Sequence, residues 1–201
     1  MRRGAALWVA AGLLAAVTSL PAAAQAPARS AQSAQSASHA DEWKVYSYPD
    51  LGFAFQLPVP PKVEKTTFQT ATGQSLPARR YSARRDRVLY TLEVVDFSGT
   101  NADPMSTIAA TEQAAGAQGT VTVAIDARVN RSHGRELSIK GNDGSHSAVA
   151  IFFENQHLYR LEGKSLAPDA INRSGDTIRF QESLQFIGAN GGFGGFGGFG
   201  R

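Results

Sequence analysis

Residues 132–161 read SHGRELSIKGNDGSHSAVAIFFENQHLYRL, and their reading decides the fold. Short apolar runs alternate with turn signals, the signature of antiparallel hairpins. Gly141-Asn142-Asp143-Gly144 is a strong turn, expected to pair Ile139 with His146 and Leu137 with Ala148. A two-residue turn at Asn155-Gln156 pairs Phe152 with Tyr159 and Ala150 with Leu161. A three-residue loop, Ser132-His133-Gly134, pairs Leu137 with Val129 and puts Gly134 where a left-handed residue is wanted. These registers place Ile125, Val129, Leu137, Ile139, Ala148, Ala150, Phe152, Tyr159 and Leu161 on one face. The expectation is a four-stranded antiparallel meander. Ala148–Phe153 is apolar on both sides, so that strand is central, with a helix on at least one face.

Upstream, Phe53, Phe55, Leu57 and Val59 alternate with smaller or polar residues. Pro49-Asp50-Leu51-Gly52 is a tight turn before them, and Pro58, Pro60 and Pro61 stop the pairing after them. Asp103-Pro104 marks a helix start, with Ala-rich sequence running to Gly116. Pro168–Leu184 carries Ile171, Ile178 and Leu184 at helical spacing, interrupted by Gly175. Strands, a helix, four strands and a closing helix make an α+β domain: an antiparallel sheet with a C-terminal four-stranded meander, flanked by helices.

Element order and strand ends together resemble the PsbP-like fold group. The features are the tyrosine-rich start, the GFAFQLP strand, the central helix, the meander and the terminal RFQESLQFI. The resemblance covers about residues 43 to 187. The group includes a lumenal photosystem protein and many small exported bacterial proteins of unknown role. It implies a fold and carries no metal or partner site onto this chain.

Outside the domain, Arg2 and Arg3 precede an apolar run, Ala5–Val17, that is short for a bilayer span, and Ala22-Ala23-Ala24 offers a cleavage site. Residues 1–24 are therefore expected to be a general-secretory signal peptide, cut after Ala24, and the mature protein to be periplasmic or secreted. Residues 25–41, rich in Ala, Ser and Gln, read as a linker that cannot bury enough surface to order itself. The globular domain spans 42–187, and 188–201, with three GGF repeats, is a low-complexity tail. The chain has no cysteine, so disulfides and a lipidated cysteine are both excluded. It has 20 Lys+Arg against 17 Asp+Glu, and 18 against 17 without Arg2 and Arg3. A near-neutral mature chain argues against nucleic acid as a partner.

Local charge is another matter. PARRYSARRDR gathers Arg79, Arg80, Arg84, Arg85 and Arg87. A hairpin turning at Arg85-Asp86 would pair Tyr81 with Tyr90 and set Arg84 against Arg87. Arg80, Arg84 and Arg87 would share one face, with Tyr81, Val88, Tyr90 and Leu92 on the other. Opposed like charges destabilise a sheet and invite an anion. Arg80, Arg84, Arg85 and Arg87 are thus the candidate binding residues. Their ligand would be phosphate-bearing lipid, an acidic glycan or an acidic protein surface of the envelope. A solvated face that keeps an edge strand from aggregating explains the same pattern.

Catalysis finds less support. His146 lies eight residues before Glu154, the residue expected opposite His157, and at about 3.3 Å per residue the two histidines are roughly 26 Å apart. No metal site, cofactor or catalytic residue is expected. His157 and Glu154 read as an ion pair. Ser145 and His146 are adjacent on a strand and point to opposite faces, so they do not form a nucleophile–base pair. The leading expectation is a non-enzymatic exported domain that binds a protein or anionic envelope component. The alternatives are a small periplasmic hydrolase with an unrecognised site, or self-association through the Phe/Gly tail.

Overall fold

The computed structural model describes residues 43–187, except 169 and 172; the expected signal peptide, linker and Phe/Gly tail lie outside the described residues. Strands β1 (Lys44–Tyr48), β2 (Phe53–Leu57) and β10 (Gln185–Phe186) form a small antiparallel sheet in the order β1-β2-β10. The other seven are β3 (Lys62–Gln69), β4 (Ser75–Arg85), β5 (Val88–Asp96), β6 (Gly119–Val129), β7 (Ser132–Gly141), β8 (His146–Glu154) and β9 (His157–Ser165). They form one antiparallel sheet, ordered β3-β4-β5-β9-β8-β7-β6. Helices α1 (Pro104–Gly116) and α2 (Ser174–Gln181) complete the α+β fold.

The large sheet has a core on each face. On one, Phe53, Phe55, Leu57 and Phe186 of the small sheet and Phe180 of α2 close over Tyr81, Tyr90, Leu92, Phe152, Tyr159 and Leu161. On the other, Ile108 and Ala115 of α1 cover Val95, Leu137, Ile139, Val149, Ile151 and Leu158. β8 lies between β9 and β7 and is buried throughout Ala148–Phe153, as its two-sided apolar sequence requires. The expected meander is present as β6–β9, and α1 begins and ends where its sequence signals put it. Asp103 caps α1 by accepting a hydrogen bond from Ser106 N.

Two registers within the meander differ from expectation. Gly141 N bonds Ser145 O at 2.9 Å, and the Asp143 carboxylate accepts from both Ser145 N and Ser145 Oγ. This side-chain turn adds a residue to the loop, so His146 faces Lys140 and Ile139 faces Ser147. A one-residue slip moves a whole strand to the other face. Leu137 and Ile139 therefore join the α1 core rather than that of Ala150 and Phe152. The β6–β7 turn falls at Asn130-Arg131, not Ser132–Gly134, with Asn130 left-handed at φ 56° and Val129 opposite Ser132. A bulge between Val121 and Val123 shifts β6 again, and Ile125, expected in the core, is 51% exposed. The Asn155-Gln156 turn keeps its expected pairs, Phe152 with Tyr159 and Ala150 with Leu161.

Gly134 is needed for space. A Cβ there would stand 2.3 Å from both Ile151 O and the Phe152 ring. The closing helix is shorter than Pro168–Leu184, because the chain after Gln181 must become extended to pair Gln185 with Ala54 and Phe186 with Phe53. Val59, expected to face the core, lies beyond the end of β2 and is only half-buried.

Candidate functional site

The arginine-rich stretch forms the end of β4 and its turn into β5. Asp86 takes the left-handed position at φ 54°, so the turn is Asp86-Arg87 and Arg85 faces Val88. Tyr81 then faces Leu92 and Ala83 faces Tyr90. The slip is two residues, which preserves the faces: Tyr81, Val88, Tyr90 and Leu92 are all buried together. Arg84 lies opposite Leu89, so the expected Arg84–Arg87 opposition does not form.

The four expected arginines divide. Arg80 bonds Glu93 at 3.1 Å, and Glu93 is only 6% exposed, so this guanidinium compensates a buried carboxylate on the α1 face of the sheet. Arg84, Arg85 and Arg87 stay at the turn, where Arg173, just before α2, and Arg179 within it add two more that sequence reasoning missed. Arg85 reaches Asp176 at 3.3 Å, and Arg173 reaches Asp86 at 3.5 Å. Arg84 Nε donates to Asp86 O at 3.1 Å, and Arg87 donates to Ala167 O. The guanidinium of Arg179 lies 4.7 Å from the Trp43 ring centroid, with that of Arg85 at 6.0 Å. Among the described residues, Arg84, Arg85, Arg87, Arg173 and Arg179 therefore share one end of the fold with the carboxylates of Asp86 and Asp176. Arg173 and Arg179 lie some ninety residues beyond the motif, and no local periodicity links them to it.

Two concavities lie elsewhere. A groove of about 660 Å³ runs between α1 and the β3–β4 loop, with Phe68, Phe97, Ala110 and Ala114 inside and Thr70, Asn101 and Ser106 among its polar walls. The charge at its edge, Arg160, is held by Glu162 at 2.6 Å. A cleft of about 460 Å³ opens on the α2 side near the β1–β2 turn, lined by Leu51, Val94 and Tyr159 with Asp50, Asp96, Lys65, Arg79 and His157. His157 Nε2 lies 3.9 Å from Asp96, whereas Glu154, its expected partner, accepts from Ser132 Oγ. Asp96 is held below the usual carboxylate range by hydrogen bonds from Ser98 and then by His157.

Ser145 is 1% exposed and its hydroxyl is committed to Asp143, so it is a turn residue. Among the described residues no group of three or more His, Cys, Asp or Glu is placed to hold a metal ion.

No family model matches the sequence, and no curated protein matches it. Among solved structures, the chain is similar to cyanobacterial PsbP from Synechocystis. The TM-score is 0.47 at 8% identity, over 72% of this chain and 92% of that one. It is also similar to a Pseudomonas aeruginosa protein of unknown function, at TM-score 0.36 and 9% identity over 67% and 90% of the two chains. The PsbP-like group expected from element order thus reappears among the structural neighbours. Among the described residues no helix is long and apolar enough to cross a membrane.

Proposed function

We propose that this is an exported, non-catalytic domain that docks on an anionic component of the bacterial envelope through its arginine-rich end. The observation carrying the reading is the gathering of Arg84, Arg85, Arg87, Arg173 and Arg179 at the β4–β5 turn and the neighbouring α2, from two stretches far apart in the chain, with Arg85 and Arg179 against Trp43. Guanidinium groups bind phosphate and carboxylate with paired donors, which suits phosphate-bearing lipid or an acidic glycan. The basic, apolar and small-residue pattern of residues 1–24 supports export, with cleavage after Ala24.

The test uses the full mature chain, phosphatidylglycerol vesicles and an acidic polysaccharide, with salt titrated in each arm. Arg84→Ser with Arg87→Ser should weaken retention at least severalfold and lower the salt dependence, with little change in thermal stability. Arg128→Ser with Arg131→Ser, the same charge change on exposed residues of the β6–β7 hairpin, should leave retention intact. Equal retention of both double variants on both surfaces would refute the reading.

The groove beside α1 favours a second reading, an uncharged ligand with an apolar face lying on Phe68 and Phe97. Ala110→Trp would fill the groove, and its failure to change the capture of any neutral envelope component would remove that reading.

A further inference from the structure

We infer that the Phe/Gly segment, residues 188–201, docks in cis on the cleft lined by Leu51, Val94 and Tyr159. The chain leaves the described fold at the edge of this cleft: Ile187 N donates to Gly52 O at 2.8 Å, one residue from Leu51 and two from Asp50. Phe193 is six residues beyond Ile187, a reach of up to roughly 20 Å at about 3.3 Å per residue, enough to turn back along the cleft.

Size and chemistry agree. An apolar cavity of about 150 Å³ accepts a benzene molecule, so about 460 Å³ leaves room for two phenyl rings with glycine backbone between them. Phe193, Phe196 and Phe199 are each separated by two glycines, which let the backbone approach the cleft wall closely. Leu51, Pro77, Val94 and Tyr159 supply apolar contact, and Lys65 and Arg79 are cations for aromatic faces. The segment's only charged side chain is that of Arg201, which complements Asp50 and Asp96. A short tether gives millimolar effective concentration, so a weak contact suffices for occupancy. Arg79 and the cleft lie toward the opposite end of β4 from Arg84 and Arg85, so this docking is separate from the arginine-rich end.

The experiment compares backbone amide chemical shifts of the full mature chain with those of its Phe193→Ala/Phe196→Ala/Phe199→Ala variant at micromolar concentration. Amides of Leu51, Thr66, Val94, His157 and Tyr159 should shift, while those around Arg84 and Arg173 stay fixed. Leu51→Lys, on an exposed residue, should in turn shift the amides of residues 190–199. Unchanged cleft amides in the triple variant would overturn the inference. So would shifts that vanish on dilution alongside a sedimenting dimer, which would put a second copy's segment in the cleft.

Discussion

At the scale of single residues, Arg80 and Arg84 are neighbours in the motif with opposite assignments. Arg80 answers Glu93, a carboxylate almost without solvent, while Arg84 is exposed and bonds only a turn carbonyl. Removing Arg80 leaves a buried charge without its partner, which costs about 1–3 kcal/mol. Arg80→Ala should therefore lower the urea midpoint by that order, and Glu93→Gln in the same chain should recover part of the loss. Arg84→Ala should stay within about 0.5 kcal/mol. Equal effects of Arg80→Ala and Arg84→Ala would contradict the division. Asp143 offers a pH test. Its hydrogen bonds from Ser145, and then Lys164, hold its pKa down to about 2. A depressed carboxylate stabilises the fold above its unfolded value near 3.8 and loses that contribution as pH falls toward 2. Asp143→Asn should melt below the parent at pH 7, with the gap closing at pH 2; a gap constant with pH would refute the linkage.

Elements were legible wherever local signals acted alone. Asp103-Pro104 fixed the start of α1, and the Asn155-Gln156 turn fixed the β8–β9 register, because capping and turn chemistry lie within a few residues. The β7–β8 and β6–β7 registers failed for a different reason. Asp143 lengthened one loop by bonding Ser145, and Gly134, which looks like a turn residue, was required by the Phe152 ring packed against it from the neighbouring strand. Such contacts are not encoded in spacing. Gly134→Ala should accordingly cost about 2–3 kcal/mol in denaturant unfolding through overpacking, whereas a turn glycine would be rescued by Asn. β6 is the last strand of the large sheet, an edge on which Val121, Val123 and Ile125 are 41%, 46% and 51% exposed. A long apolar edge is prone to pair with other chains. Ile125→Lys should keep stability within about 0.5 kcal/mol and slow heat-induced light scattering, and unchanged scattering would show that the edge is already protected.

For the whole molecule, the aromatic core joins the two sheets and sets their limit in alkali. All five tyrosines lie in or against it, an assembly foreshadowed by the tyrosine-rich start but completed by Tyr81, Tyr90 and Tyr159 from distant strands. The arginine-rich end arose in the same way: its β4–β5 half was readable in one motif, and its α2 half came from packing over β9 that no single stretch announces. Burial pushes Tyr90 and Tyr159 up to about 12 and raises Tyr81 and Tyr48 as well. The unfolded chain releases these protons near pH 10, so their contribution is complete below that and is lost as pH climbs toward 12. Phenolate absorbance should therefore lag an ordinary tyrosine titration and rise together with loss of the near-ultraviolet circular dichroism. Tyr90→Phe sharpens the test. Among the described residues the buried Tyr90 hydroxyl has no hydrogen-bond partner, so its removal should leave neutral-pH stability unchanged or slightly higher and move the alkaline midpoint upward. Full tyrosine ionisation near pH 10 with the circular dichroism intact, or a Tyr90→Phe chain weaker by more than about 1 kcal/mol at pH 7, would show that the buried phenols do not set this limit.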